Sequence, residues 1–425
     1  MTTVQILSIA VFVLVMALII SEKLHRAVVS LAGAMLLILM GALTFEEGIE
    51  AIDFNTLGVL FGMMLFVAVV RESGLFEYMA IKAAKVSKGD PWRIMMSFIL
   101  ITAVFSAILD NVTTVLLVGP MTFTICRILK TDPVPFLMTE ILASNIGGTA
   151  TLIGDPPNIM IGSAASLSFF DFIAVDGPVV VVLMALMVLA FRFLYGRRLH
   201  VSEEERAEIM LLDEKKAIRD EGLFKKSLAM IAVVTLAFML HGVLGVESSE
   251  VALAAGILMV LIGRANLESA VQHVEWTTLL FFIGLFIVVG SLEVNGVIQL
   301  MAQWILDVFA DNPLLLMIVI LWVSAVLSAI LDNIPFVATM IPLVLAMEAG
   351  GVDVVPLWWA ISLGACLGGN GTLIGASANV VLSGISGKHG HPITFTQFLK
   401  VGFPVMVVTV AIAMVYLLLR FGLFA

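Results

Sequence analysis

Two copies of one six-residue segment supply the first candidates for chemistry. The run Ser-Ala-Ile-Leu-Asp-Asn occupies residues 106–111 and recurs unchanged at residues 328–333. An ionisable group far from any aqueous loop is costly to bury, and this cost favours a role in binding a coupling ion. In the alternative interpretation, each aspartate only caps the helix that follows it. The residues predicted to bind the coupling ion are Asp110, Asn111, Asp332 and Asn333.

Glycines and small polar residues interrupt apolar helices in a second pair of segments. Residues 143–158 read Ala-Ser-Asn-Ile-Gly-Gly-Thr-Ala-Thr-Leu-Ile-Gly-Asp-Pro-Pro-Asn, and residues 368–379 read Gly-Gly-Asn-Gly-Thr-Leu-Ile-Gly-Ala-Ser-Ala-Asn. Glycine lets the backbone leave the helix, and the freed peptide groups can then bind a solute. Close helix packing explains glycines but not the asparagines and threonines beside them. The residues predicted to bind the solute are Ser144, Asn145, Thr149, Thr151, Asp155, Asn158, Asn370, Thr372 and Asn379.

Asp155 distinguishes the first interrupted segment from the second, where Ala376 takes its position. The carboxylate is either a proton carrier or a cap for the helix that contains Asn158. Oxygen atoms of these segments also suit a dehydrated cation. The residues of this candidate sodium site are Asp110, Asn111, Asn145, Asp332, Asn333 and Asn370.

These motifs belong to an internal duplication that spans the chain. A shift of 222 residues places the second half on the first, and after the loss of one residue Gly147-Gly148 falls on Gly368-Gly369. Six identical residues in a row around Asp-Asn exceed what chance gives in helices rich in leucine and alanine. We therefore divide the chain into a first repeat, 1–196, a charged linker, 197–226, and a second repeat, 227–425.

The composition requires lipid as the solvent for much of the surface. Of the 425 residues, 61% are hydrophobic and 13% are charged, and the mean hydropathy is +1.13. Soluble domains carry about 25% charged residues, so a soluble class is excluded. The net charge of −10 lies in short loops, and no basic stripe suits nucleic acid. Ser, His and Asp do not cluster as in a hydrolase, and neither an enzymatic activity nor a cofactor is expected.

Basic residues fix the predicted orientation, because short cytoplasmic loops are enriched in them. With the N-terminus outside, every lysine and arginine except Arg420 lies on the cytoplasmic side, and acidic residues such as Asp171 and Asp176 occupy outward loops. Each repeat then crosses five times, and this odd number inverts the second copy. The two arms around each Asp-Asn pair either cross fully or form a re-entrant hairpin. Both termini would lie outside the plasma membrane, with the linker in the cytoplasm.

The motifs resemble those of the ion transporter superfamily, and most closely the permease family that groups arsenical-pump membrane proteins with sodium/proton antiporters, in its pink-eyed-dilution (P-protein) branch. The resemblance covers essentially the whole chain and is carried by residues 109–114, 143–158, 331–335 and 368–379. It implies a homodimer, re-entrant hairpins that open to opposite sides, and elevator-like movement of a transport domain. The predicted fold is thus an all-α polytopic membrane protein with two inverted-topology repeats of five transmembrane helices, each with a re-entrant hairpin and a broken helix.

The resemblance implies that, in relatives which transport carboxylates, Ser-Asn-Thr motifs hold sodium ions at the hairpin tips. Here Asp110 and Asp332 replace the tip serine, which favours protons. The leading hypothesis is a secondary active transporter of a small inorganic ion, a neutral hydroxide such as arsenite, or a monovalent anion, coupled to a proton or sodium gradient. Dicarboxylates are disfavoured because no lysine or arginine is expected at mid-membrane.

Two alternatives remain open from the sequence. One is a sodium/proton antiporter. The other is the membrane channel subunit of an ATP-driven arsenical pump, which would need a separate ATPase because the chain has no phosphate-binding loop.

Overall fold

The described part of the chain consists of helices joined by short turns and contains no β-strand. The structure is a computed structural model that describes residues 1–21, 23–196, 199, 201–309 and 312–422. Arg197 and Arg198 of the predicted linker lie outside these residues. Among the described helices, nine are long and apolar enough to cross a membrane. The predicted all-α polytopic class is therefore confirmed.

The first repeat begins with helices that form a frame and continues with helices that carry the motifs. The helices of this repeat are α1 (Thr3–Ile20), α2 (Arg26–Leu39), α3 (Phe45–Glu50), α4 (Phe54–Glu72), α5 (Leu75–Val86), α6 (Pro91–Ile108), α7 (Asn111–Ile128), α8 (Val134–Gly148), α9 (Pro156–Ala165) and α10 (Phe169–Leu194).

The linker contains α11 (Glu203–Leu211) and a short 3-10 turn at Glu214–Ala217. The second repeat follows, and its helices correspond in order to those of the first. The helices of the second repeat are α12 (Glu221–Leu244), α13 (Ser248–Gly263), α14 (Leu267–Gln272), α15 (Trp276–Val294), α16 (Val297–Phe309), α17 (Pro313–Ile330), α18 (Asn333–Ala349), α19 (Val355–Gly368), α20 (Ser377–Lys388) and α21 (Phe395–Phe421).

Packing between the repeats follows a pseudo-twofold relationship. Helix α4 packs along α13, and its duplicate α15 packs along α2. Equivalent glycines allow both contacts: a Cβ at Gly62 would lie 2.3 Å from the carbonyl carbon of Ala252, and one at Gly284 would lie 2.5 Å from the backbone nitrogen of Leu31. We call α1–α4 and α12–α15 the frame, and α6–α10 with α17–α21 the core bundle. Helices α5 and α16 pack against the core-bundle hairpins, α6–α7 and α17–α18 respectively.

Each interrupted segment is a helix in two halves, α8 with α9 and α19 with α20. The backbones on either side of the first break approach too closely for a side chain, since a Cβ at Gly148 would lie 2.4 Å from the carbonyl oxygen of Gly154. Pro156 then starts α9, where its missing N–H has no helical partner to lose. At the second break a Cβ at Gly369 would lie 3.2 Å from the Gly375 carbonyl oxygen. The predicted broken helices and hairpins are both present.

Two residues predicted in an outward loop, Asp171 and Asp176, lie in a helix instead. Helix α10 begins at Phe169, because Ser168 and Asp171 form a capping box at its start. Asp176 is consequently a buried helical residue and not part of an outward loop. Helix α12 begins at Glu221, inside the predicted linker 197–226, because Asp220 caps a charged first turn that extends the apolar helix into solvent.

The linker lies on one side of the molecule, and its position defines the two sides of the helical bundle. Helix α11 packs against α5 and α7, and Lys85 of α5 forms an ion pair of 2.5 Å with Glu214. We call this the linker side and the opposite one the far side. Helix α4 ends on the linker side, where the Ser73 carbonyl accepts a hydrogen bond from the backbone of Arg219.

Candidate solute-binding site

Four asparagines meet in the core bundle. Asn145 of α8 donates from Nδ2 to Oδ1 of Asn370 and to Oδ1 of Asn379, each at 2.9 Å. Its own Oδ1 accepts a hydrogen bond of 3.2 Å from Nδ2 of Asn111 at the start of α7. All four side chains are buried. This asparagine cluster joins the first hairpin to the broken helices of both repeats.

Asn158 and Asn379 hold the interrupted backbone in place, one in each repeat. Each amide uses both Nδ2 hydrogens on carbonyls that the break frees from helical hydrogen bonding, which leaves Oδ1 as an acceptor for another partner. The accepting carbonyls, at 2.7–3.2 Å, are those of Thr149 and Thr151 in the first repeat and of Gly369 and Thr372 in the second. The Thr151 and Thr372 carbonyls are equivalent in the duplication, whereas Gly369 lies one residue before the position equivalent to Thr149. The duplication thus extends in part from sequence to hydrogen bonding.

The predicted serines and threonines all donate to backbone carbonyls. Thr151 and Thr372 each donate to a carbonyl in the first hairpin arm of their own repeat, at 2.6 and 2.5 Å. Ser144 and Thr149 donate to carbonyls within α8, both at 2.8 Å. These hydroxyls position the breaks, and each oxygen keeps a lone pair with which to accept from a solute or bind a cation.

Asp155 makes a second contact between the repeats. Both of its carboxylate oxygens lie close to Nδ2 of Asn333 at the start of α18, at 3.2 and 3.3 Å. The side chain is buried and makes no capping hydrogen bond to α9. Sequence analysis left two roles open for Asp155, a proton carrier or a helix cap. The structure does not show the cap. A buried carboxylate with a single amide partner is suited to holding a proton or a cation.

Both hairpin-tip aspartates cap the helices that follow them. Asp110 Oδ1 accepts from the backbone nitrogen of Thr113 at 2.7 Å, and Asp332 Oδ1 accepts from that of Ile334 at 3.3 Å. The capping interpretation is thus correct for one oxygen of each residue. The second oxygen of Asp332 has other partners, because it accepts from the hydroxyl of Ser377 at 2.7 Å.

Arg26 completes the surroundings of Asp332. Its Nη1 lies 3.0 Å from Asp332 Oδ2 and 2.7 Å from Ser377 Oγ, so a frame helix brings a cation to the tip of the second hairpin. The three residues line a cavity of about 350 Å³. Sequence analysis did not predict this contact, because it placed Arg26 in a cytoplasmic loop away from the binding segments. No local pattern could have revealed this pairing, since 306 residues separate Arg26 from Asp332.

The six residues of the candidate sodium site do not share one centre. Asn111, Asn145 and Asn370 are hydrogen-bonded together, whereas Asn333 contacts Asp155 and the remaining two are the tip aspartates. Within the described residues, no group of three or more His, Cys, Asp or Glu side chains is arranged to hold a metal ion. Any cation at this site would be bound mainly by amide, hydroxyl and carbonyl oxygens.

Ser362 contacts Asn158, and Asp176 contacts Ser362; neither was predicted as a site residue. Ser362 Oγ on α19 lies 2.8 Å from Asn158 Oδ1 and 2.7 Å from Asp176 Oδ2 on α10. The capping box at Ser168 is the sequence signal that could have placed Asp176 inside a helix. Nothing in the sequence indicates which residue it contacts.

Comparison with known proteins identifies the family. The model of the citrate transporter family (CitMHS) matches residues 16–364. The chain belongs to this family. An uncharacterized transporter of Mycobacterium bovis is 43% identical over 98% of this chain and 99% of its own length. The P protein of Homo sapiens is 35% identical over 95% of this chain, which spans 58% of that protein.

The fold is also that of a solved transporter. The Alcanivorax borkumensis YdaH transporter, whose structure is described as having an unusual topology, aligns with a TM-score of 0.62 over 99% of both chains at 16% identity. The protein is therefore a multi-pass membrane transporter of the CitMHS class, with two inverted repeats that each contain a re-entrant hairpin and a broken helix. The predicted resemblance to the ion transporter superfamily and its P-protein branch is confirmed.

Proposed function

We propose that this protein is a secondary active transporter that binds its solute at the asparagine cluster and couples its movement to a proton or sodium gradient. The observation that carries this proposal is Asn145, which joins both broken helices and the first hairpin through three buried hydrogen bonds. Amides in an apolar bundle are stable only while they are hydrogen-bonded. A solute that replaces these bonds would rearrange the hairpin and both breaks together.

The position of the core bundle relative to the frame supports an elevator mechanism. On the linker side, Arg26 at the start of α2 contacts the tip of the second hairpin, and Thr113 beside the first tip lines a small cavity with Glu275. On the far side, Asn55 at the start of α4 donates to Ser163 near the end of α9, at 3.2 Å. Both tips therefore lie level with the linker-side ends of the frame helices, and not midway along the frame.

This offset breaks the pseudo-twofold symmetry of the chain, and exchanging the conformations of the two repeats would move the core bundle toward the far side. We propose that such an exchange carries the solute across the membrane. With the linker in the cytoplasm and both termini outside, the described state would face inward. The unit in the plasma membrane would be a homodimer.

The solute class follows from the charges at the site. Amide, hydroxyl and carbonyl groups near Asp155 suit a small inorganic ion, a neutral hydroxide such as arsenite, or a monovalent anion. Arg26 favours a second candidate, a carboxylate, because guanidinium binds carboxylates through paired hydrogen bonds. The family is described as one of citrate transporters, and citrate is a carboxylate, which supports this second candidate. A sodium/proton antiporter would use the same oxygens for its cation.

A flux screen of the purified full chain in proteoliposomes tests the function. Sodium, arsenite, chloride and citrate are each supplied under an imposed pH gradient and, separately, under a sodium gradient, without ATP. We expect one of them to accumulate against its own gradient and to stop when an ionophore removes the driving gradient. Accumulation of sodium driven by the pH gradient alone would identify the antiporter.

The same screen separates the alternative class. If every solute only equilibrates without ATP, and accumulates after a partner ATPase is added, the chain is a channel subunit and the proposal fails. Vesicles without protein and vesicles with the Asn145→Ala variant provide the background rates.

A further inference from the structure

Asp176 is a buried acid that the proposed solute site does not include. It lies in α10, between the membrane-spanning helices of the core bundle, and its side chain is fully buried. Oδ2 has one partner, Ser362 Oγ at 2.7 Å, and Oδ1 has none. Ionised carboxylates in such surroundings normally have several hydrogen-bond donors or a paired cation. The surroundings of Asp176 are those of a neutral carboxylic acid.

Counting hydrogens at Ser362 leads to the same protonation state. Asn158 has both Nδ2 hydrogens on backbone carbonyls, so its Oδ1 is an acceptor, and Ser362 Oγ lies 2.8 Å from that oxygen. A serine hydroxyl has one hydrogen to donate. If Ser362 donates it to Asn158, the short contact with Asp176 must have its hydrogen on the carboxyl group. The chain then runs from Asp176 to Ser362 to Asn158, with each group donating to the next.

We propose that Asp176 is a proton-binding site, and that Ser362 transmits its protonation state to the solute site through Asn158. When the O–H bond of Asp176 breaks, its electron pair stays on the carboxylate and the proton passes to water from the aqueous phase. The Ser362 hydroxyl then turns to donate to the carboxylate. Asn158 Oδ1 then retains only the Cys366 thiol, at 3.5 Å. Because Asn158 holds the carbonyls of Thr149 and Thr151, the weakened contact loosens the first helix break.

Within the described part of the chain, five helices pack against α10, namely α6, α8, α12, α19 and α21, and each carries charged or titratable groups. Arg420 and Tyr416 of α21 and Cys366 of α19 interact with it electrostatically. The Arg420 guanidinium also donates to the Tyr416 hydroxyl at 3.0 Å, and this pair lies between Asp176 and the end of α21. On the remaining helices, His241 of α12 contacts the Phe169 backbone and Glu140 of α8 contacts Thr122. Arg93 lies in the first turn of α6 and is exposed.

The proton site can be tested without knowledge of the solute, by infrared difference spectroscopy of the purified full chain between acidic and alkaline pH. Buried acids such as Asp155 also contribute to the C=O band of wild type, so the test is one component of that band. We expect Asp176→Asn to lose this component and Ser362→Ala to shift it, since Ser362 accepts the acid's hydrogen bond. Asp171→Asn, in the same helix five residues earlier, should leave the band unchanged. The asparagine variant can donate to Ser362 as the neutral acid does, and it is expected to fold.

The coupling role rests on the proposed function and is measured separately. Proteoliposomes loaded with the pH dye pyranine receive a sodium, arsenite, chloride or citrate gradient, and proton movement is recorded. We expect the wild-type and Asp171→Asn signals to match and the Asp176→Asn signal to be lost. Unchanged infrared bands in Asp176→Asn would overturn the proposal, and so would proton movement in that variant equal to a wild-type signal that is itself above the protein-free background. If wild type moves no solute while its acid band depends on Asp176 as expected, the proton site stands and the proposed function fails.

Discussion

Asn145 of the first repeat and Asn370 of the second are joined by a hydrogen bond of 2.9 Å between their side-chain amides. The two residues are 225 positions apart; Asn145 lies in the last turn of α8, and Asn370 lies in the break just after α19. The pair is the most direct link between the interrupted helices of the two repeats. It also explains why each half of the duplication needs the other to complete a binding site.

The first prediction concerns this link. Asn145→Ala should abolish transport, because it removes three hydrogen bonds and leaves buried amides without partners, at about 1–3 kcal/mol for each unpaired group. Uptake in proteoliposomes and the melting temperature in detergent measure the two effects. The matched control is Asn295→Ala, an asparagine at the end of frame helix α15 whose Nδ2 lies within 3.2 Å of three acceptors and shares its two hydrogens among them. It should lose stability but keep the solute affinity of wild type; equal loss of affinity in both variants would argue against a site at Asn145.

A second prediction concerns the close backbone approach at the first helix break. Gly148→Ala should destabilise the protein strongly and stop transport, because the new Cβ would lie 2.4 Å from the Gly154 carbonyl oxygen and 2.9 Å from Ser106 Oγ. Gly384→Ala is the control, since a Cβ there meets no atom within 4 Å and alanine favours the helix by about 1 kcal/mol. Thermal unfolding of both purified variants decides the point. A Gly148→Ala protein as stable and active as wild type would contradict the described geometry.

The ion pair between Arg26 and Asp332 gives a third prediction. It connects the frame to the core bundle and must break if the core bundle moves. Asp332→Asn and Arg26→Gln should each lower coupled transport by about tenfold or more, corresponding to about 1.4 kcal/mol, without preventing membrane insertion.

The double variant then distinguishes a direct interaction from two separate effects. Its loss should be smaller than the two single losses combined, as expected for residues that act through each other. The exposed pair Lys225–Glu221, at 3.8 Å, serves as the control, and its disruption should leave transport unchanged. Fully additive losses for Arg26 and Asp332 would show that the ion pair is not what the variants remove.

The elevator movement leads to a fourth prediction. Asn55 belongs to the frame and Ser163 to the core bundle, and their side chains are hydrogen-bonded. In a background without the two buried native cysteines, Asn55→Cys with Ser163→Cys should form a disulfide under oxidation and stop transport, because α9 could no longer move past α4. Reductant should restore transport, and either single cysteine should be insensitive to oxidation. Full transport by the cross-linked protein would exclude movement at this contact.

Much of the architecture could be derived from the sequence for physical reasons that act locally. The repeated Ser-Ala-Ile-Leu-Asp-Asn segment reveals the duplication, and apolar runs predict the helices because lipid leaves the backbone few alternatives. Glycine and proline at residues 147–157 predict the first break, since those residues weaken or end a helix wherever they stand. The capping box at Ser168 is also a local signal, and it places Asp171 and Asp176 inside α10 and not in the predicted outward loop.

The sequence determined the fold class, the duplication and the set of polar residues in the interrupted helices, because periodicity, composition and backbone propensity are local properties. Only the tertiary structure decided which of these residues are partners: Asn145 with Asn370, Asp155 with Asn333, Arg26 with Asp332, and Asp176 with Ser362. Each pair joins residues more than 170 positions apart. Such contacts are set by how whole helices pack against one another, and no pattern within a single helix records them.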